Sequence, residues 1–382
     1  CKTEYCWNSI CDVVVYSFIQ NAELSFLIVA FMNRFCVFAH PRYATSMNKE
    51  LLAHATKNVS DVVTIALAHQ NTTNALVVYD TQNGLTDILT AAYRAALPHA
   101  RFIDFDTTAK EEVIATFDTM QPGDLVVLIQ SSNFLLNQFR IRLHLFQQKL
   151  KVIEHTHLHR NTEEQWGVYI DALAYDPAWY RTIGPALKTK LETTSVLTFH
   201  SGDTTCTITG GLEMPKLNIG DYTGMENIGG TFPIGEVFTE SRDFAHVNGS
   251  IMLYAYAGGD FMVNMYEPFR VDITGGVISG WSENTPASFV AIMDMIKSYE
   301  RPLVREIGFG LNPAITKERY VNDITAFERI LGLHFSLGEK HSVYKKPGIT
   351  THKTKFHVDV FPVIDRIEAD GDTIFRDGAY TV

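Results

Sequence analysis

Between residues 60 and 195, segments with the hydrophobic pattern of strands alternate with segments that have the hydrophobic pattern of helices. This alternation limits the possible folds more than any other feature of the sequence. Short apolar runs with strand character are separated by stretches with helical spacing. This order predicts an α/β unit with a largely parallel sheet. No G-x-G-x-x-G follows the first run, so a dinucleotide site is not supported. The predicted strands are 75–80, 100–106, 124–130 and 151–157, and the clearest helices are 85–97 and 109–120.

The amino-acid composition of the chain changes after a helical stretch at 178–192. The following residues are rich in Thr, Gly and β-branched side chains, with helical patterns at only 288–300 and 318–332. We therefore predict the α/β fold class, with an N-terminal open α/β domain whose sheet is largely parallel and a C-terminal α+β domain. The predicted boundaries are 1–46 for a leader, 47–190 for the first domain and 191–382 for the second.

The first 46 residues differ from the remainder of the chain. The stretch 12–32 is mostly apolar but contains Glu23, and a membrane helix needs about 20 predominantly apolar residues. A basic start and a small-residue cleavage site, which would mark a signal peptide, are not clear. We treat 1–46 as an atypical leader that need not be native, with a membrane anchor or a buried helix as alternatives. Met47 resembles a natural start.

Charge and cysteine usage limit the partners and the compartment. The formal net charge is −11 and no long Lys/Arg cluster occurs, so we expect no nucleic-acid partner and no anionic membrane. Beyond the leader the only cysteine is Cys206, which lies between threonines and is expected to be packed rather than nucleophilic. A body with one cysteine is not a disulfide scaffold, and a cytoplasmic location is the simplest expectation.

The segment KFHVDVFP at 355–362 is the most informative motif. On a strand, alternate side chains share a face. Phe356, Val358 and Val360 are then expected to point into the core, and His357 and Asp359 to stand together on the other face. An imidazole beside a carboxylate is half of a site for zinc or a similar metal. H-x-D is also a short and common match, and a surface His–Asp pair is the alternative.

Three further segments supply possible partners for this half-site. Glu306 lies in an apolar stretch and shares a strand face with Gly308 and Gly310, which would leave open space beside the carboxylate. A buried carboxylate without a partner is costly, and a cation would offset that cost. His334 lies on a short strand-like run and Glu236 starts another. Together these side chains suit two cations about 3.5–4 Å apart, bridged by one carboxylate.

The order of these motifs resembles the M29 aminopeptidases, the thermophilic and staphylococcal-type leucyl aminopeptidases. The matching segments are PIGEVFT at 233–239, REIGFGLNP at 305–313, HFSLG at 334–338 and HVD at 357–359, and the resemblance covers about 50–382. It implies an aminopeptidase that cleaves N-terminal residues from small peptides, a homodimer, and two divalent ions (Zn, Co or Mn) that activate water. The metal ligands it implies are Glu236, Glu306, His334, His357 and Asp359.

One position departs from the family pattern. The family carries a catalytic tyrosine seven residues after the first ligand histidine, and here that residue is His341. We therefore take His341 and Tyr344, three residues further on, as the candidate catalytic residues. An imidazole at this position would donate a hydrogen bond or transfer a proton near neutral pH.

Two other functions remain open. The chain also resembles the dihydroxypyridine ring-cleaving dioxygenases, for which one Fe(II) held by His334, His357 and Asp359 would suffice. A protein that kept the fold without the chemistry is the third possibility.

A weaker metal motif occurs in EHTHLHR, at a predicted sheet edge. It places His155, His157 and His159 on one face of a strand end.

Overall fold

The computed structural model describes residues 49–70, 73–136, 140–350 and 353–382. The predicted leader, and with it the choice between anchor, buried helix and non-native segment, lies outside the described residues. Within these ranges no helix is both long enough and apolar enough to cross a membrane.

The secondary structure follows the two periods of the sequence. Helices and parallel strands alternate in the first part, and antiparallel strands dominate the second. The helices are α1 Lys49–Asp61, α2 Gly84–Ala96, α3 Lys110–Phe117, α4 Ile141–Gln147, α5 Trp166–Ala172, α6 Pro177–Thr193, α7 Ala287–Lys297 and α8 Ile324–Phe327. The first strands are β1 Ala75–Tyr79, β2 Arg101–Asp104, β3 Leu125–Ile129, β4 Lys151–His155, β5 Val196–Ser201, β6 Thr204–Thr209, β7 Lys216–Asn218, β8 Ile228–Thr231 and β9 Glu236–Thr239. The later strands are β10 Val247–Ala257, β11 Val263–Thr274, β12 Val277–Trp281, β13 Val304–Gly310, β14 Gly332–Leu337, β15 Val358–Pro362, β16 Arg366–Ala369, β17 Asp372–Arg376 and β18 Ala379–Tyr380.

A five-stranded parallel sheet with the order β2-β1-β3-β4-β8 confirms the mixed α/β prediction. All of β3 is buried, and the central residues of its neighbours β1 and β4 are buried and apolar. Val77 and Val127 pack into one core cluster and Leu76 and Val126 into another, on opposite sides of the sheet. Because a parallel sheet is covered by its crossover helices, both faces must be apolar, which explains the continuous runs in the sequence.

The parallel sheet also takes a strand from beyond residue 190. β8 pairs with β4 in parallel register, with Gly229 opposite Val152. Gly229 has φ +104°, and a Cβ atom at this position would lie 1.8 Å from the Val152 carbonyl oxygen. Only glycine permits this approach. The division into domains at 190 stays a prediction, and the first sheet extends past it.

A 13-stranded, mostly antiparallel sheet forms the second part of the fold. Four neighbouring strands in it, in the order β9-β13-β14-β15, carry all the predicted metal ligands or lie directly beside them. The helix predicted at 318–332 is only α8, four residues long. It ends early because the backbone of the next residues pairs elsewhere: the Leu331 amide donates to the Ile315 carbonyl, and Ile330 bridges Asn312.

The prediction for the histidines at the end of β4 is wrong. His157 adopts φ +53° and is followed by a 3-10 turn at Leu158–Arg160, so the three histidines do not share a strand face. β4 also lies inside the sheet, between β3 and β8, and not at its edge. His155 is 1% exposed, with the Tyr93 hydroxyl 2.9 Å from its Nε2 and the Tyr169 hydroxyl 3.0 Å from its Nδ1. It is a hydrogen-bonded core histidine.

Acid should destabilise the protein through His155. Burial lowers the pKa of His155 to about 3, whereas a histidine in an unfolded chain titrates near 6.5. Between these values only the unfolded state binds the proton, so this contribution is complete above pH 6.5 and is lost as the pH falls. We expect the free energy of unfolding to decrease with acidification more steeply in the wild type than in His155→Gln, by one proton equivalent. Urea denaturation between about pH 5 and 7 measures both slopes, and equal slopes would contradict this account.

Candidate metal centre

Four adjacent strands place the predicted ligands on one face of the large sheet. In the register, Gly310 lies opposite Glu236, and Gly308 lies opposite His334. Ser336 lies opposite both Glu306 and Asp359. Alternate residues of β9, β13, β14 and β15 therefore point to the same side. The local strand pattern selects the face, and the pairing of distant strands brings the side chains together.

Glu236, Glu306 and His334 form the tightest group. Nε2 of His334 lies 3.4 Å from Oε1 of Glu236 and 3.5 Å from Oε1 of Glu306. All three side chains are buried, and one ligand atom from each lies within 4.8 Å of the others. Two atoms that are each about 2.1 Å from a tetrahedral ion are about 3.4 Å apart. The separations of the His334 nitrogen from the two carboxylates match that value.

Gly308 provides the space that the imidazole occupies. A Cβ atom at this position would lie 2.0 Å from Cε1 and 2.3 Å from Nε2 of His334. The open space that the sequence predicted beside Glu306 is therefore filled by His334, which comes from the neighbouring strand.

His357 and Asp359 lie together, as their spacing predicts. Nε2 of His357 is 3.3 Å from Oδ1 of Asp359, and the Ser336 hydroxyl lies between them. It donates to Oδ1 of Asp359 at 2.6 Å and lies 3.0 Å from Nε2 of His357. On the other side of the ring, Nδ1 of His357 donates to the Lys340 carbonyl oxygen at 3.0 Å. Both side chains are thus held in one orientation.

Glu328 and Arg329 were not predicted as part of this site. They follow α8 directly, and Glu328 can join His334 and Asp359 around one cation. Arg329 pairs with Oε2 of Glu236 and, at 2.7 Å, with Oε1 of Glu328. The two adjacent charges in ITAFERILG were the available signal, but the sequence analysis treated this stretch only as a helix.

His341 contacts the same cluster through Glu306. Its Nε2 is 2.8 Å from Oε2 of Glu306, and its Nδ1 donates to Oε1 of Glu240. Glu240 is 0% exposed and also pairs with the buried Arg305 at 2.9 Å, with the Lys346 ammonium at 3.8 Å. Sequence reasoning missed Glu240 and Arg305, although Arg305 begins the motif at 305–313 and Glu240 directly follows the motif at 233–239.

Tyr344 is placed differently from His341. Its hydroxyl donates to the Met214 carbonyl oxygen at 2.6 Å, and its own carbonyl accepts from Arg305 at 2.9 Å. The phenol is therefore committed to a backbone acceptor, whereas His341 makes the contact with Glu306. Of the two candidate catalytic residues, the geometry favours His341.

The site has a strongly negative potential. Burial alone would lower the pKa of the imidazoles, yet Glu306, Glu236 and Asp359 raise the pKa of His334 to about 9. In the same way Asp359 and Glu306 raise the pKa of His357 to about 10. The same potential that holds a proton on each ring attracts a cation, and binding of a metal would replace those protons.

Unpartnered atoms also fit a cation. Within the described residues, Oε1 of Glu236 and both ring nitrogens of His334 lack a hydrogen-bond partner although they are buried. Buried polar atoms without partners are rare in folded proteins. A cation between the carboxylates and the ring would provide a partner for Oε1 of Glu236 and for Nε2 of His334, the ring nitrogen that faces them. Carboxylate oxygens and imidazole nitrogens are the ligands of zinc and related divalent metals. The donor set therefore fits a divalent metal.

Two solved structures share this fold. The 2,5-dihydroxypyridine dioxygenase from Pseudomonas putida KT2440 matches with a TM-score of 0.59 and 15% identity, over 87% of this chain and 98% of that one. Wild-type AmpT from Thermus thermophilus matches with a TM-score of 0.54 and 13% identity, over 86% and 99%. No protein-family model and no curated protein matches the chain. At these identities the likeness shows the fold alone, and this fold is common to both groups that the motifs resemble.

Proposed function

We propose that this chain is a metal-dependent aminopeptidase that hydrolyses N-terminal residues from small peptides with two divalent ions, Zn, Co or Mn. The observation that carries the proposal is the position of Glu306. Its Oε1 faces His334 and its Oε2 faces His341, so the two oxygens are directed at different imidazoles and could each bind one ion. The proposed ligands are Glu236, Glu306, His334, His357 and Asp359. The preference for a peptide substrate rests on the motif resemblance.

Divalent ions bound here would supply a water of lowered pKa and would polarise the scissile carbonyl. Neighbouring side chains fix the positions of the proposed ligand atoms. Glu306 would hold both ions, because each of its oxygens faces a different imidazole. Arg329 neutralises Oε2 of Glu236 and leaves Oε1 directed at His334. The Ser336 hydroxyl fixes Asp359 beside His357.

The direct test is metal-dependent turnover. We expect protein treated with a chelator to leave leucyl-anilide uncleaved, and we expect hydrolysis to return as two equivalents of Zn²⁺, Co²⁺ or Mn²⁺ are added. Thermal unfolding should report binding independently, because a ligand at about 100 times its Kd stabilises the folded state by about 2.7 kcal/mol. Absence of turnover with every metal would contradict the peptidase proposal.

The Arg329–Glu236 ion pair supports a second candidate. Because Arg329 already neutralises this carboxylate, Glu236 has a charge partner without a metal. His334, His357 and Asp359 would then supply two histidines and one carboxylate, the donor set of a single non-haem Fe(II). Within the described residues His334 and Asp359 already lie close enough to hold one ion, together with Glu328, and His357 lies beside Asp359. The alternative function is ring cleavage of a dihydroxypyridine by dioxygen.

Metal content separates the two candidates. Protein loaded with Fe(II) under anaerobic conditions and then given 2,5-dihydroxypyridine and air should consume oxygen only if the second candidate holds. One ion per chain that survives Glu236→Ala would favour it. Two ions per chain, with one lost in Glu236→Ala, would favour the peptidase.

The remaining expectations belong to the same proposal. All five proposed ligands lie within 191–382, which supports this segment as the metal-binding catalytic domain. The segment 47–190 is proposed as the open α/β domain, and it contributes four of the five strands of the parallel sheet. A homodimer in the cytoplasm is proposed as well. Light scattering of the purified chain tests the dimer, and a monomer at working concentration would contradict it.

A further inference from the structure

We propose that His341 is itself a metal ligand, binding a cation through Nε2 beside Glu306, while Glu240 holds the proton on its other ring nitrogen. This inference rests on the proposed function, since it concerns the same metal centre. It adds a ligand at the position where the resembling peptidases carry a catalytic tyrosine, and it assigns Glu240 as the residue that positions that ligand.

His341 and Glu306 are close enough to bind one ion together. Their Nε2 and Oε2 atoms are 2.8 Å apart, which is a hydrogen-bond distance. Two ligand atoms about 2.1 Å from a tetrahedral ion are about 3.4 Å apart, so a cation in place of the shared proton requires the two groups to separate by only about 0.6 Å. Since the other oxygen of Glu306 faces His334, a cation bound by His341 would lie on the opposite side of the carboxylate from a cation bound by His334.

The hydrogen bond at the second ring nitrogen of His341 is typical of metal-binding histidines. Such a histidine almost always donates its second N–H to a carboxylate or a backbone carbonyl, which fixes the tautomer and the ring plane. Nδ1 of His341 donates to Glu240, and Nδ1 of His357 donates to the Lys340 carbonyl. Both rings therefore direct Nε2 at the cluster, and their centroids are 6.1 Å apart.

Glu240 is itself fixed in place. It is 0% exposed and pairs with Arg305, which is 1% exposed. A buried carboxylate is costly unless it is paired, and Arg305 provides the pair, so one oxygen of Glu240 stays directed at His341. The imidazole is 4% exposed and packs between Glu240 and Glu306. A metal ligand must be held in a fixed position, and the buried ring of His341 meets this condition. A group that exchanges protons with solvent would instead have to be exposed to solvent.

Cobalt(II) is the probe for this arrangement. In the cobalt-loaded wild type, exchangeable protons on Nδ1 of ligating histidines give strongly shifted proton NMR signals. We expect His341→Phe to lose one of these signals and to weaken Co²⁺ binding by more than about 100-fold. Glu240→Gln should keep the signal and weaken binding about 10- to 100-fold, the usual effect of removing a supporting carboxylate. His246→Phe, with a half-exposed ring, is the matched control and should change neither.

The outcomes separate this inference from the proposed function. Retention of every shifted signal and of wild-type cobalt affinity in His341→Phe would overturn the ligand role and leave the metal centre intact. A wild type that binds no Co²⁺ would overturn both. If His341→Phe does not fold, His341→Cys supplies a thiolate ligand in the smaller side chain. It should bind Co²⁺ with thiolate-to-cobalt absorption, and absence of that absorption in folded, cobalt-bound protein would overturn the inference.

Discussion

Replacing Glu306 with glutamine is expected to release both cations and abolish hydrolysis, the largest effect of any single change in this site. The glutamine keeps the size of the side chain but removes the charge that faces His334 and His341. Loss of a supporting residue typically costs about 10- to 100-fold in metal affinity, and loss of a bridging ligand should exceed that range. Calorimetric titration with Zn²⁺ and leucyl-anilide turnover measure the two effects.

Glu154→Gln is the matched control for this substitution. Glu154 is also a strand glutamate with an ion-pair partner, Arg142 at 2.8 Å, but it lies in the parallel sheet. We expect this variant to bind metal as the wild type does. Retention of two ions with unchanged affinity in Glu306→Gln would show that this carboxylate does not bridge, and the two-metal proposal would then lose the observation that carries it.

Replacing Gly308 with alanine is expected to displace His334 and remove a metal ligand without altering any ligand side chain. The new Cβ atom would lie 2.0 Å from Cε1 of His334, and this ring is fully buried. Overpacking of this kind costs about 1–3 kcal/mol of folding stability. We expect a loss of that size in urea denaturation, together with metal affinity weakened by at least about 100-fold.

A double variant separates the collision from a general weakening of the strand. In His334→Ala the space above Gly308 is empty, so adding Gly308→Ala to it should cost little further stability, and the two changes should be non-additive. Gly167→Ala, at a helical position where an added Cβ meets nothing within 4 Å, should leave metal binding unchanged. Additive effects of Gly308→Ala and His334→Ala would contradict a direct clash between the two residues.

Local patterns in the sequence determined the class of fold and much of the candidate site. Continuous apolar runs indicate strands that are buried on both faces. The strands predicted at 75–80 and 124–130 correspond to β1 and β3, whose ends differ from the prediction by one residue or none. Alternation along a strand reports which side chains share a face, so His357 and Asp359 were predicted together and lie 3.3 Å apart. Both inferences depend only on the geometry of a single strand, and that geometry is determined by residues that are adjacent in sequence.

Only the tertiary structure decided which distant residues meet. Arg329 and Glu236 are 93 residues apart in sequence, and His341 and Glu240 are 101 apart, yet both pairs are in contact. The entry of β8 into the parallel sheet and the position of His334 over Gly308 likewise depend on how strands pair. Strand pairing is settled by packing across the whole chain, because a hydrophobic pattern specifies that a face is buried and does not specify the partner that buries it.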